Sequence, residues 1–150
     1  MEPKLHTGMT STEHICVDRD RSIAFMGEAA RVYSTPSMVS DVEYACLRLI
    51  QKHLAKEQSS VGMHVSIDHL APTPVGCQVE VCVTVSAVDG RKITLDARVR
   101  DAVELVGSGV HVRYVVDVPR LTRRIEEKAR RLADNKPLIE SGLGAGRPPG

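Results

Sequence analysis

The sequence predicts one α+β domain, in which a single amphipathic helix covers one face of an antiparallel sheet. Two observations lead to this fold class. Between residues 35 and 54, apolar side chains recur at the three-and-four spacing of a helix. From residue 61 the apolar spacing changes to every second residue, and four strand-like segments follow with turn residues between them. With 150 residues, the chain can bury a core of its own.

The segments before this helix are less regular. Residues 12–17 predict a short strand, and a charged stretch ends it. Residues 23–32 fit either a short helix or a lid-like loop, because Gly27 disfavours a helix.

The helix has a clear start signal at residues 35–36. The Thr35 hydroxyl can cap it by accepting a hydrogen bond from a free backbone N–H, and Pro36 suits the first turn. Asp41 falls on the polar side. Glu43 falls inside the apolar stripe, so it is either a rim residue that reaches water or a carboxylate held by a partner, which would make it a candidate for chemistry. The stripe itself consists of Met38, Val39, Val42, Ala45, Cys46, Leu49, Ile50, His53 and Leu54.

The strands are predicted at residues 61–70, 79–87, 93–99 and 105–118 and should form an antiparallel meander. Turns are expected at residues 71–76, at Asp89-Gly90 and at residues 101–104. Gly107 and Gly109 within the last strand indicate a bulge, or the close approach of a ligand or another backbone. Since one helix leaves the edges of such a sheet open, we expect pairing with a second copy.

Composition narrows the class of function. The net charge of +1 provides no general attraction to nucleic acid or membrane, and 3% aromatic residues disfavour a base-stacking surface. The cysteines and histidines fit no metal-ligand spacing, so no metal site is expected. Free thiols, the absence of a long apolar run and an N-terminus without a signal peptide together predict a cytoplasmic protein. The four cysteines are Cys16, Cys46, Cys77 and Cys82.

The C-terminal region is predicted to lie outside the domain, which we place at residues 1–118. Residues 119–134 predict a basic helix that is either simply solvated or a docking strip for ligand phosphates. Residues 135–150 are rich in Gly and Pro and predict a disordered tail.

Two polar residues are expected on surfaces that face each other. His69 shares a strand face with Val65 and Ile67, which should face the helix that carries Glu43. A lone histidine on such a face can be an ordinary core residue. An imidazole and a carboxylate on facing surfaces can also stabilise each other's charge and tautomer. Thr35 would place a hydroxyl nearby, and the helix start offers free N–H groups to an anion.

Arg113 lies on the strand face of His111, Gly107 and Gly109. It is either a surface arginine or an anchor for a phosphate or carbonyl group beside a glycine-lined approach.

Four motifs in order make residues 35–113 resemble the hotdog-fold acyl-CoA thioesterases, in particular the branch of fluoroacetyl-CoA thioesterase. They are T-x-x-x-V-x-x-x-E-Y-A-C at residues 35–46, V-G at 61–62, H-L-A-P-T-P-V-G at 69–76 and G-S-G-V-H-V-R at 107–113. Each motif alone is weak, but the set is specific and extends over about half of the chain.

The resemblance implies a hotdog fold, a curved antiparallel β-sheet wrapped around one central α-helix. It implies a homodimer, or a dimer of dimers, with active sites near the subunit interface. Carried over by position, Thr35, Glu43 and His69 would be catalytic. Gly62 would offer backbone near the thioester carbonyl, and Arg113 would bind or orient the acyl-CoA. The implied reaction is hydrolysis of an acyl-CoA thioester, with coenzyme A entering only as part of the substrate.

One departure from the family concerns the acyl group. The fluoroacetate-specific enzyme has phenylalanines that form a lid before the threonine, whereas residues 26–33 read MGEAARVY here. We therefore expect a different short or medium acyl group. Two alternatives remain, a non-catalytic acyl-CoA-binding module and a hotdog acyl-CoA hydratase or dehydratase. The latter usually pairs Asp with His, but Asp68 and His69 are adjacent strand residues and point to opposite faces.

Overall fold

The computed structural model describes residues 4–135 and contains two compact units, one ending at Val116 and the other beginning at Asp117. The first unit carries the sheet and one α-helix. Its strands are β1 (Thr10–Cys16), β2 (Ser22–Ile23), β3 (Val32–Tyr33), β4 (Gln58–His69), β5 (Gln78–Asp89), β6 (Lys92–Arg100) and β7 (Leu105–Asp117). Its helix is α1 (Thr35–Gln51), and a 3-10 turn spans Glu28–Ala30.

The main sheet has five strands in the order β1-β5-β6-β7-β4. The predicted meander is therefore correct for β5, β6 and β7 but wrong for β4, which lies beside β7 at the far edge. The connection through residues 70–77 crosses the sheet instead of forming a tight turn. This position makes β4 an edge strand, and the predicted apolar face is only partly buried, with Ile67 packed against the core. Exposed apolar residues on β4 are Val61, Met63 and Val65, with Met63 55% exposed.

Helix α1 packs on the inner face of the sheet because its apolar stripe and the alternating strand residues close one core. The predicted alternation is confirmed for β5 and β6, whose inward residues are almost fully buried. These core residues include Met38, Val42, Ala45, Cys46, Ile50, Val79, Val81, Val83, Val85, Ile93, Leu95, Ala97 and Val99.

The ends of the predicted elements shift for local reasons. Helix α1 ends at Gln51 instead of residue 54. The hairpin at residues 89–92 forms, with Gly90 at a φ of 58° and Asp89 paired with Lys92. Residues 23–32 form neither a full helix nor a plain loop, because a short β2–β3 pair encloses the 3-10 turn.

The second unit contains α2 (Val118–Asp134), and none of its side chains is buried. Of the tail expected at residues 135–150, all but Asn135 lies outside the described residues. Within residues 4–135, no helix is long and apolar enough to cross a membrane.

Candidate active site

The first turn of α1 brings Thr35 to His69. Ser34 caps the helix, since its side chain accepts a hydrogen bond from the backbone N–H of Ser37. The prediction that Thr35 is the cap is therefore wrong. Its hydroxyl instead lies 2.7 Å from Nδ1 of His69, at the end of β4. The cap at Ser34 leaves the Thr35 hydroxyl available for this contact.

His69 has one ring nitrogen without a partner. Its Nε2 is buried and forms no hydrogen bond to any of the described residues. Burial lowers the pKa of His69, and the Ala71 backbone opposes this shift only in part. The Tyr33 ring packs edge-on against the imidazole, with 6.2 Å between ring centroids. A neutral His69 with its proton on Nδ1 offers Nε2 as a base, and the other tautomer offers an Nε2–H donor.

Glu43 lies further along α1, beside Arg113 and Gly62. Its Oε2 is 4.0 Å from NH1 of Arg113, and its side chain is 40% exposed. It thus faces an opening while an arginine neutralises part of its charge. A Cβ on Gly62 would lie only 3.3 Å from Oε2 of Glu43, so a glycine here keeps the backbone close to the carboxylate. The cleft at this point has a volume of about 430 Å³ and is lined by Pro36, Val39, Ser40, Glu43, Tyr44, Leu47 and Arg113.

Arg113 is a buried residue, which excludes the surface interpretation. It points inward because β7 pairs with β6 in a register that places Arg113 opposite Ile93. Its Nε donates to the Ser60 hydroxyl at 2.8 Å and its NH2 to the Ser60 carbonyl at 2.7 Å. Its NH1 is 3.0 Å from Nε2 of His111. With these donors held by the protein, the guanidinium is placed to orient Glu43.

Sequence reasoning missed Ser60. It precedes the strand predicted at residues 61–70, but β4 begins earlier, at Gln58. Its place on β4 beside β7 turns its hydroxyl and carbonyl toward Arg113. A buried arginine needs acceptors, and that requirement is the signal by which a search could have found Ser60.

The expected contact between Glu43 and His69 is not present within one chain. Thr35 and Glu43 are eight residues apart on α1, which places them about 12 Å apart along the helix axis. His69 is bonded to Thr35, whereas the nearest charged partner of Glu43 is Arg113. The predicted site residues therefore form two groups, Thr35–His69 and Glu43–Gly62–Arg113.

A second buried network, also missed from the sequence, fixes the segment before α1. Asp41 is buried, although its place on the helix predicted a polar position. Tyr33 donates its O–H to Oδ2 of Asp41 at 2.6 Å, and Nε of Arg21 donates to both carboxylate oxygens at 3.1 and 3.0 Å. This network holds Tyr33, and with it one wall of the His69 site.

The glycines of β7 allow close packing, and at Gly109 the approaching group is another backbone, one of the alternatives that the sequence left open. A Cβ on Gly109 would lie 1.9 Å from the carbonyl oxygen of Ser66, so the backbone of β4 occupies that space. A Cβ on Gly107 would lie 2.5 Å from Sδ of Met38. At both glycines, the space that a side chain would occupy is taken by other atoms of the protein, so these glycines do not line an open path for a ligand.

Cys46 is a core residue. Burial raises the pKa of its thiol to about 12, so it stays protonated at neutral pH and is not a nucleophile. The loop before the 3-10 turn exposes Phe25, with 88% of its surface accessible. Phe25 comes directly before residues 26–33, the segment that contains no phenylalanine.

The curved sheet and its single central helix define a hotdog fold, and solved structures agree. A thioesterase superfamily member from Thermus thermophilus superposes with a TM-score of 0.81 and 20% identity, covering 90% of this chain and all of that chain. A hot-dog-like protein from Thermanaerovibrio acidaminovorans superposes with a TM-score of 0.76 and 24% identity, covering 81% of this chain and 91% of that chain. The predicted hotdog fold is confirmed.

The family follows from closer similarities. The profile described as "Fluoroacetyl-CoA-specific thioesterase" matches residues 17–119. The fluoroacetyl-CoA thioesterase of Streptantibioticus cattleyicolor is 31% identical over 101 residues, or 67% of this chain and 73% of the relative. A crystal structure of a mutant of the fluoroacetyl-CoA-specific thioesterase has a TM-score of 0.77 and 26% identity, covering 85% of this chain and 99% of that one. This chain belongs to the fluoroacetyl-CoA-specific thioesterase family, as the four motifs indicated.

Proposed function

We propose that this protein hydrolyses the thioester of an acyl-CoA to the free acid and coenzyme A. The observation that carries the proposal is the Thr35–His69 hydrogen bond at the start of α1, with Nε2 of His69 buried and without a partner among residues 4–135. A buried ring nitrogen of this kind is suited to exchange a proton with a reacting group. Membership of a family named for thioester hydrolysis supports the same reaction.

The chemistry needs an attacking oxygen at the thioester carbon. In one route, the Glu43 carboxylate attacks the carbonyl, the C–S bond breaks, and the thiolate of coenzyme A leaves and takes up a proton. Water then cleaves the acyl-glutamyl anhydride and regenerates the carboxylate. In the other route, Glu43 removes a proton from a water molecule that attacks directly. In both routes, His69 transfers a proton or donates to the developing oxyanion, with Thr35 holding its ring.

The two routes differ in where the oxygen of water ends up. A single turnover in ¹⁸O-water, followed by mass spectrometry of the peptide that contains Glu43, separates them. Label in the Glu43 carboxylate indicates nucleophilic attack by Glu43. Label confined to the product acid is expected when Glu43 acts as a base, and also when water attacks the acyl carbon of the anhydride. Conversion of Glu43 to its hydroxamate by added hydroxylamine identifies the second case.

The separation of about 12 Å between Thr35 and Glu43 supports a composite site in a homodimer. The edge strand β4 carries both Gly62 and His69 and exposes the apolar side chains of Met63 and Val65 between them, and a second copy placed there would cover these side chains. We propose that Thr35 and His69 of one subunit act on the same thioester as Glu43 of the partner subunit. Further association into a dimer of dimers is compatible with this arrangement.

The substrate is proposed to be a short or medium acyl-CoA other than fluoroacetyl-CoA, because residues 26–33 contain no phenylalanine. No cofactor is required besides the coenzyme A that the substrate carries, and no nucleic acid or membrane partner is proposed. A cytoplasmic location is supported by the four cysteines, which are all unpaired thiols in the structure.

The first test is thiol release from a panel of acetyl-, short-chain and aromatic acyl-CoAs. His69→Ala and Glu43→Gln should each lower kcat by about a hundredfold or more, while circular dichroism shows that the fold is intact. Glu57→Gln is the matched control and should keep full activity, since Glu57 is an exposed glutamate that neither lines the cleft beside Glu43 nor takes part in the Thr35–His69 contact. Full activity in both site variants would overturn the catalytic assignment.

The panel also separates the other classes of function. Tight binding of acyl-CoA by calorimetry without any thiol release would identify a binding module. An absorbance band of an enoyl product without thiol release would identify a hydratase or dehydratase.

The composite site is tested by complementation. Inactive Glu43→Gln and His69→Ala chains, each with its own tag, are co-expressed and the mixed dimer is purified through both tags. A site shared between subunits restores one intact centre in each mixed dimer, and about half of the wild-type rate is expected. A site contained within one chain leaves the mixed dimer inactive.

A further inference from the structure

His111 is a buried histidine that the proposed reaction does not use. It lies on the inward face of β7 opposite Leu95 of β6, and only 1% of its surface is accessible. A buried imidazole in this position needs a reason, because an apolar residue would fill the same space without polar atoms to satisfy.

The hydrogen bonds of His111 determine its protonation state. Its Nδ1 lies 2.8 Å from the carbonyl oxygen of His64, which can only accept, so Nδ1 carries a proton. Its Nε2 lies 3.0 Å from NH1 of Arg113, which can only donate, so Nε2 has a free lone pair. Both contacts are satisfied together only by a neutral ring with its proton on Nδ1.

The same ring connects β4 to Arg113. Ser60 accepts two hydrogen bonds from Arg113, and His64, four residues further along β4, accepts one from His111. The guanidinium is thus held by β4 directly and through His111. The remaining charged neighbour is Glu43 on α1, at 4.0 Å from NH1, the same nitrogen that donates to His111.

We propose that His111 is a positioning residue that fixes NH1 of Arg113 and, through it, the carboxylate of Glu43. Without an acceptor at Nε2 of His111, an N–H of NH1 is buried without that partner, and the planar guanidinium can tilt about its two bonds to Ser60 and away from Glu43. A misplaced carboxylate lowers the rate of attack more than it lowers substrate binding. This inference rests on the proposed function for its kinetic consequence, but not for the geometry that carries it.

Protonation should disrupt the arrangement. A protonated His111 would present an N–H to the N–H of Arg113 and place two cations in contact. The groups that face the ring are Arg113 on its own strand, Glu43 on α1 and the His64 residue of β4. Burial is the largest cause of a lowered pKa of His111, with Arg113 also lowering it, and Glu43 and the His64 hydrogen bond opposing the shift. The neutral form therefore persists below the ordinary range of histidine.

The kinetic test is a double-mutant cycle with acyl-CoA. His111→Leu should lower kcat about tenfold to a hundredfold with little change in KM, because it removes a hydrogen bond to a charged group. His111→Gln, whose amide oxygen can accept from NH1, should restore most of the rate. Combining His111→Leu with Arg113→Ala should cost no more than Arg113→Ala alone, since His111 acts through Arg113.

A purely structural role for His111 gives different results. Leu95→Val, at the buried position opposite His111, is the packing control and should lower Tm while kcat of the folded enzyme stays unchanged. The proposal would be overturned if the losses in kcat of His111→Leu and Arg113→Ala were additive in the double variant. It would also be overturned if the fall in kcat of His111→Leu were fully explained by its lower Tm.

A second readout is independent of catalysis. The ¹⁵N shifts of the His111 ring at neutral pH should show a protonated Nδ1 and an unprotonated, hydrogen-bonded Nε2, and Arg113→Ala should shift the Nε2 resonance alone. A ring protonated on Nε2 contradicts the inference. If the wild type hydrolyses no acyl-CoA, the proposed function fails, and these shifts still decide the placement of Arg113 by His111.

Discussion

Thr35 and His69 meet through a hydrogen bond of 2.7 Å although 34 residues separate them in the sequence. The contact is possible because Ser34 caps the helix and leaves the neighbouring hydroxyl available. Ser34 thus caps the helix and Thr35 contacts the imidazole, so either side chain can be replaced without changing the other.

Replacing Thr35 tests the orientation of His69. Thr35→Val keeps the shape of the side chain but removes the hydroxyl, so kcat should fall by about tenfold as the ring loses its orientation. Thr35→Ser retains the hydroxyl and should stay near the wild-type rate. Initial rates of thiol release measure both.

The neighbouring cap provides the control for this pair. Ser34→Ala should lower the free energy of unfolding by about 1 kcal/mol through the lost cap, with kcat nearly unchanged below the unfolding transition. A larger effect of Ser34→Ala than of Thr35→Val on kcat would show that helix integrity, and not the hydroxyl, controls the rate.

A methyl group at Gly62 should impair Glu43 without harming the fold. Its Cβ would lie 3.3 Å from Oε2 of Glu43 and 3.3 Å from Cε1 of His111, which is tighter than ordinary contact. The carboxylate must then move by a few tenths of an ångström. We expect Gly62→Ala to lower kcat by about tenfold while Tm stays within a few degrees. An unchanged kcat would indicate that Glu43 tolerates displacement and is not the attacking group.

The two glycines of β7 should differ in their tolerance of alanine. At Gly109 the added Cβ meets the Ser66 backbone, which cannot move without separating β4 from β7, and a loss of about 3 kcal/mol or more in unfolding free energy is expected. At Gly107 the obstacle is the Met38 side chain, which can change rotamer, so the loss should be smaller. Denaturant unfolding of both variants gives the comparison, and the reverse order would contradict the packing described for β4.

Stability should fall as the pH is lowered from about 6.5. Burial lowers the pKa of both His69 and His111 from the ordinary value of 6.5, so the unfolded chain binds protons at a pH where the folded chain does not. The contribution of these two histidines to stability is therefore fully present above pH 6.5 and declines as the pH falls toward their folded-state pKa values. Urea unfolding between pH 7.5 and pH 5 measures the slope. His111→Gln should make it shallower, whereas a slope equal to that of the wild type would exclude a contribution from His111.

Apolar periodicity predicted the elements whose apolar face is buried against the core of the same chain. The strand alternation of β5 and β6 and the stripe of α1 were correct because each residue there meets the core of its own chain. The same pattern in β4 led to a wrong prediction of burial, because Met63 and its apolar neighbours lie on an edge strand and are exposed. Sequence spacing does not reveal whether an apolar face is covered by its own chain or by another.

The candidate site was predictable only residue by residue. Motif spacing selected Thr35, Glu43 and His69 as candidates, and the alternation along the last strand placed Arg113 on the same face as His111. The contacts that determine their roles join distant segments, and no local pattern contains them. Asp41 was assigned to the polar side because the lead-in segment that buries it, with Arg21 and Tyr33, has no helical or strand period of its own.

The contacts that assemble the site all span long stretches of chain. His111 bonds to β4 across 47 residues and Arg113 across 53, and both lie on the last strand of the domain. Closing such loops costs entropy that short-range hairpins do not require, so the β5–β6 hairpin can form well before these contacts. During synthesis, β4 and α1 must wait for β7 to leave the ribosome before Glu43 acquires its arginine. The Glu43 half of the site is therefore among the last parts of the domain to form. A chain truncated before residue 111 would keep much of its hydrophobic pattern but would leave Glu43 without Arg113.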